Sequence, residues 1–103
     1  MHTPGGQQHA KARFEGFGPI DELGADEMRR RFQELDLSAT KEIVLDFRGV
    51  SLINASGIGE LIGVYKKLAL QGGRVRIDNL PREMYSVFKV VNMDKLFSIF
   101  PAA

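Results

Sequence analysis

Val44-Leu45-Asp46-Phe47-Arg48-Gly49-Val50-Ser51-Leu52-Ile53-Asn54-Ala55-Ser56-Gly57-Ile58-Gly59 decides how this 103-residue chain folds. An apolar strand runs into a short turn, a second apolar step follows, and a helix opens at a small, polar corner. Asn54 suits the N-cap, where a side-chain oxygen accepts from an otherwise unpaired helical N–H. Ala55, Ser56 and Gly57 then form the first turn. Their small size lets another backbone or a phosphate come close, and a helix N-terminus favours anions through its free N–H groups and dipole. Ser56 is placed there either to carry a phosphate or simply to satisfy an N–H.

Downstream, Ile58, Leu61, Ile62, Tyr65, Leu68 and Ala69 recur at i, i+3, i+4, i+7, i+10 and i+11. That stripe predicts an amphipathic helix over 55–70. Gly57, Gly59 and Gly63 fall within it, each costing about 1 kcal/mol relative to alanine. Three glycines so close together argue for close packing or a close partner. Their spacing, GxGxxxG inside a helix, is not a dinucleotide fingerprint, and no P-loop lysine follows the strand. Gly72 is expected to cap this helix. Arg74-Val75-Arg76-Ile77-Asp78 alternates as a half-buried strand does, and Asn79-Leu80-Pro81 reads as a turn. Pro81 opens a third helix to about Val91, with Met84, Val87, Phe88 and Val91 inward. Asn92 suits a left-handed cap, Met93–Leu96 a short turn, and residues 97–100 a last strand.

Upstream, Lys41–Phe47 reads as a central strand because its apolar run is nearly continuous, with Ile43, Leu45 and Phe47 facing one way and Val44 the other. A helix is expected from Leu23–Ala25 to Leu35 or Leu37, on the spacing of Met28, Phe32 and Leu35. Arg29, Arg30 and Arg31 fan out about 100° apart on such a helix, among acids, as a solvated face rather than a nucleic-acid patch. Asp26 and Glu27 read as surface charge. Residues 11–17 alternate weakly, as an edge strand, and Gly18-Pro19-Ile20-Asp21 ends it. Residues 1–10 have no apolar period and read as a flexible tail. The pattern predicts one α/β domain over 11–103, an open, mostly parallel four-stranded sheet with helices packed on it and right-handed crossovers.

Composition excludes several chemistries. There is no cysteine, so no disulfide or thiolate. The two histidines, His2 and His9, both lie in the tail, no metal-ligand cluster is spaced for use, and no base accompanies a serine. No catalytic residue, metal or other cofactor is expected, and the chain does not read as an enzyme. A net charge of +1 gives no general pull toward nucleic acid or an acidic membrane. No apolar run nears the roughly 18 residues of a membrane span, so no membrane insertion is expected and the cytoplasm is the expected compartment.

The central stretch resembles STAS domains, above all the bacterial anti-sigma-factor antagonists. Gly49-Val50-Ser51-Leu52-Ile53-Asn54-Ala55-Ser56-Gly57-Ile58-Gly59 is similar to their strand, Asp-Ser-Ser-Gly turn and helix. Gly18, Ile20, Asp21 and Ala25 match a second step, and Gly72, Gly73, Val75, Ile77, Leu80, Phe88, Asp94, Lys95, Leu96 and Phe97 a third, so the likeness spans about residues 14–100. Family members usually place one more strand first, which here is shortened or absent. The resemblance implies a partner, an anti-sigma factor that is also a serine protein kinase, and a regulatory role in transcription through sigma-factor release. It implies a contact surface at Asp21, Asn54, Ala55, Ser56, Gly57 and Gly59. The usual phospho-acceptor position is Ala55 here and the preceding Asp is Asn54, so Ser56 is the remaining acceptor candidate. Asp21 can serve the surface, a turn, or both. The alternative is a non-switching STAS scaffold in a signalling complex or a lipid or ABC-type transporter. Monomer and homodimer both stay open.

Overall fold

The computed structural model describes residues 11–102. Four strands form one sheet in the order β1 (Lys11–Phe14), β2 (Glu42–Asp46), β3 (Arg74–Leu80) and β4 (Ser98–Pro101). Every pairing is parallel. Each step between neighbours passes through a helix: α1 (Glu22–Gln33), α2 (Ala55–Ala69) and α3 (Arg82–Val90). The expected α/β sheet is therefore present, and wholly parallel.

Register explains the two faces. Ala12, Ile43 and Val75 share one row, and Phe14, Leu45, Ile77 and Ile99 the next. These side chains join buried residues of all three helices, among them Met28, Leu61 and Phe88, in one core. The opposite face is ionic. Arg13 pairs with Asp46 at 3.1 Å, Arg76 with Asp78 at 2.6 Å, and Arg74 with Glu42 at 3.2 Å. Val44 lies on that face, buried, with Arg13 and Arg76 beside it in register. This alternation is what strands packed on one side produce.

Several boundaries differ from the sequence expectation, each for a local reason. β1 stops at Phe14, not residue 17, because Gly16 turns the chain at φ +77°. Phe17 then packs edge-on against Phe47, at 5.6 Å. α1 begins at Glu22, earlier than expected, because Asp21 caps it, and ends at Gln33. Asp36 starts a separate short 3-10 turn, accepting from the Ser38 N–H and hydroxyl. Pro81 precedes α3 as its N-cap instead of opening it, and its carbonyl accepts from Met84 and Tyr85, both at 3.0 Å. Asn79 and Leu80 belong to β3 rather than to a turn: Asn79 adopts φ +57° where the pairing with β4 shifts, and Leu80 stays buried. Asn92 takes the left-handed cap as expected.

The end of α2 follows the glycine expectation. The Gly73 N–H donates to the Leu68 carbonyl at 2.8 Å and the Gly72 N–H to Ala69 at 3.1 Å, with Gly72 at φ +78°. This double closure satisfies carbonyls that a helix end otherwise leaves unpaired. The tail over 1–10, with His2 and His9, lies outside the described residues.

Candidate functional site

Two loops meet at the N-terminal ends of α1 and α2. Ile20 and Ile53 form an isolated parallel bridge. The Ile20 N–H donates to the Leu52 carbonyl, and the Asn54 N–H to the Ile20 carbonyl, each at 2.9 Å. Ile20 is buried beneath this junction. The bridge holds Asp21 and Asn54, the caps of the two helices, in one rigid platform.

Each cap does what its sequence position predicts. The Gly24 N–H donates to Asp21 Oδ1 at 2.9 Å, and the Gly57 N–H to Asn54 Oδ1 at 2.8 Å. An N-cap of this kind is worth about 1 kcal/mol. Asn54 thus takes the third amide of α2. The first two, those of Ala55 and Ser56, donate to no acceptor among the described residues.

Ala55, Ser56, Gly59 and Asp21 are exposed, and Asn54 is half-buried. Gly57 is different. It is buried, and a Cβ there would lie 2.6 Å from Ile20 Cγ2 and 2.7 Å from Ile53 Cγ1. Packing against Ile20 and Ile53 requires a glycine at this position. At Gly59 and Gly63 a Cβ would meet nothing within 4 Å.

The structure adds residues the sequence reading passed over. Glu22 reaches across from α1, where its carboxylate accepts from the Ser56 hydroxyl at 3.4 Å. Gly24 is confined: a Cβ there would run into the Pro19 carbonyl oxygen. Leu23 and Leu52, in the segments that carry Asp21 and Asn54, are 78% and 46% exposed. Isolated exposed leucines carry no signal in a sequence; their place beside the platform does.

The three arginines of α1 divide as their spacing predicts. Arg29 pairs with Asp26 at 2.9 Å and Glu60 at 3.8 Å, while Arg31 pairs with Glu27 at 3.7 Å and stacks on Phe17. Among the described residues, no cluster of three His, Cys, Asp or Glu could hold a metal ion. None of their helices is long and apolar enough to cross a membrane.

Parallel strands under three helices, with an exposed first turn on α2, define a small α/β domain whose two capped helix starts meet at one end. The chain belongs to the STAS domain family, whose profile matches residues 12–103. It is 26% identical over 83 residues to the anti-sigma-B factor antagonist of Bacillus subtilis (strain 168), covering 80% of this chain and 74% of that protein. A candidate anti-sigma factor antagonist from Thermotoga maritima shares the fold, with a TM-score of 0.81 at 16% identity over 91% of this chain and 81% of that one. So does a sulfate transporter family protein from Wolinella succinogenes, with a TM-score of 0.76 at 18% identity over 91% and 79%.

Proposed function

We propose that this chain is an anti-sigma factor antagonist. It binds an anti-sigma factor of the serine-kinase type through the first turn of α2 and the Asp21 loop, and so frees a sigma factor for transcription. The likeness to the Bacillus subtilis antagonist supports the partner class. The observation that carries the reading is the platform: Ala55, Ser56 and Gly59 exposed on a turn that the Ile20–Ile53 bridge holds rigid. Leu23 and Leu52, on the segments that carry the two caps, add exposed apolar surface.

Ala55 offers no hydroxyl, so in this turn a phosphate can go only to Ser56. A phosphate adds about −1.5 to −2 charges. At Ser56 it would face the Glu22 carboxylate, now hydrogen-bonded to that hydroxyl. Repulsion would part the first turns of α1 and α2 and remove the partner's surface. Without such a phosphate the chain stays in its binding form.

The test is capture of the tagged protein from its host, with mass spectrometry of what it binds. A serine-kinase-type anti-sigma factor is the expected partner. ATP added to the purified pair should phosphorylate the wild type but not Ser56→Ala. Transporter subunits without such a kinase would overturn the reading. They would favour a scaffold role, toward which the lost hydroxyl at Ala55 and the fold shared with a sulfate transporter family protein both lean.

A further inference from the structure

The platform lies at the end of the sheet where the strands finish. At the other end lie the strand starts and, because each crossover returns there, the last turns of all three helices. Lys41, just before β2, marks the junction: its ammonium donates to the Gln71 carbonyl after α2, at 3.0 Å. Two aliphatic side chains stand out at this end. Leu70 closes α2 and is 90% exposed, and Val90 closes α3 and is 82% exposed. Lys66 and Lys67 occupy the last turn of α2, Lys89 that of α3, and Lys95 the short turn before β4. All four lysines are exposed, and none forms an ion pair among the described residues. Lys89 lies over the Tyr85 ring at 5.6 Å, which leaves its charge uncancelled. Against these four charges, residues 66–72 and 89–97 hold one acid, Asp94. Glu42, at the start of β2, is shared by Lys11 and Arg74. Glu34 and Asp36 belong to the β1–β2 crossover, which α2 separates from α3. The net charge of +1 conceals this polarity, because Asp21, Glu22, Asp46, Asp78 and Glu83 gather at the platform end.

We infer that this end docks on an anionic lipid surface, with Leu70 and Val90 entering the headgroup region and Lys66, Lys67, Lys89 and Lys95 meeting lipid phosphates. Helix dipoles account for lysines in last turns. They do not account for two aliphatic side chains left almost wholly in water. The residue types favour lipid over a protein or a nucleic acid. Protein interfaces are enriched in aromatic residues and arginine and depleted in lysine, and single-stranded nucleic acid is held by aromatic stacking. Here the four unpaired cations are all lysines, and the exposed apolar groups are aliphatic. Each lysine held near an anionic bilayer strengthens binding about fivefold. The aliphatic side chains add apolar burial at the interface without crossing the bilayer. The platform, at the opposite end of the sheet, then faces away from the lipid, so both ends can be occupied together.

Neither Asp21 nor the first turn of α2 belongs to this end, so the inference stands or falls apart from the antagonist reading. The probe is vesicles of phosphatidylglycerol and phosphatidylcholine in equal parts, sedimented with the full chain at low salt. The chain should sediment with them and not with vesicles of phosphatidylcholine alone, and high salt should weaken the association. Lys67→Ala should weaken binding about fivefold, and Lys66→Glu combined with Lys67→Glu should abolish it. Leu70→Ser combined with Val90→Ser should weaken it about tenfold. Both side chains are exposed, so melting should be retained. Arg82→Ala, which removes a cation from the opposite end of α3, should leave binding unchanged. No binding to the anionic vesicles, equal binding to phosphatidylcholine alone, an equal loss in Arg82→Ala, or full binding by the Leu70→Ser, Val90→Ser variant would overturn the inference. Binding to polyglutamate or duplex DNA without binding to the vesicles would overturn it in favour of an acidic protein or a nucleic acid.

Discussion

The inward and outward sides of α2 use the same residue in opposite settings. Inward, Gly57 is pressed against Ile20 and Ile53, with no room for a methyl group. Outward, Gly59 and Gly63 face open space. All three carry the same backbone cost in a helix, about 1 kcal/mol. At Gly57 the close approach of two loops offsets it. At Gly59 and Gly63 nothing within the described chain does. One side of the helix is thus determined by the fold, and the other is free to serve something the fold does not contain.

The sharpest way to break this contrast is Gly57→Ala. The new Cβ would meet two β-branched side chains, of which Ile20 is fully buried and cannot swing away. Overpacking of this kind costs about 1–3 kcal/mol, even after some gain in helix propensity. Chemical denaturation should show that loss. The platform should loosen with it, because Ile20 and Ile53 form its bridge. If Gly57→Ala is as stable as the wild type, the inward side is not determined by packing and the contrast fails.

Much of this was legible in the sequence. Strand and helix periods locate the four strands and three helices, because hydrophobic periodicity reports burial; in α3 the buried stripe is narrower than expected, with Met84 and Phe88 buried but Val87 and Val91 about half exposed. Asn54 and Gly72 are legible as caps, because helix ends need particular chemistry. Asp21 is legible as a turn residue for the same reason. The roles of the glycines are not. Gly57 and Gly59 lie two positions apart, and only the approach of the Ile20 loop separates them. The bulge at Asn79 was hidden because the register with β4 determines it, and β4 lies some twenty residues on. Glu22, Leu23 and Leu52 read as ordinary surface until the bridge brings their loops together.

A second variant tests whether stability can be altered far from α2. On the ionic face of the sheet, the Asn79 side-chain amide donates to Asp46 Oδ1 at 3.0 Å. That bond is the main reason the Asp46 carboxyl titrates below its usual 3.8; burial opposes it, and the Arg48 N–H and the charge of Arg13 assist. A carboxyl depressed in the folded state stabilises the fold above its unfolded pKa, and that contribution is lost as pH falls through the folded value. Asn79→Gly keeps the left-handed backbone without strain and removes the amide. Loss of the bond should cost about 0.5–1.5 kcal/mol at pH 7. The difference from the wild type should shrink below about pH 3.8, where both forms become protonated. Denaturation at pH 7 and pH 3, with titration of the Asp46 carboxyl by NMR, checks both statements. Partner binding at neutral pH should be unchanged. A fall in binding would mean that the platform is coupled to the far face of the sheet.

Gly59→Ala has the smallest expected effect on stability and the opposite sign. Nothing lies within 4 Å of its Cβ, so the methyl group displaces no neighbour in the fold. Removing the glycine cost should stabilise the chain by up to about 1 kcal/mol. For a domain of this size, that corresponds to a rise in Tm of about 4–8 °C per kcal/mol. Gly59 lies one helical turn beyond Ala55 and Ser56, on the side left open by the fold, so a partner seated on the platform would approach it closely. The expected combination is therefore a higher melting temperature with weaker capture of the anti-sigma factor. Lower melting would mean that Gly59 serves packing, and the two sides of α2 would cease to differ. Higher melting with unchanged capture would keep the contrast and move the contact surface toward Ala55, Ser56 and Asp21. Together with Gly57→Ala, where stability falls first, the pair separates a glycine required by the fold from one that the fold merely tolerates.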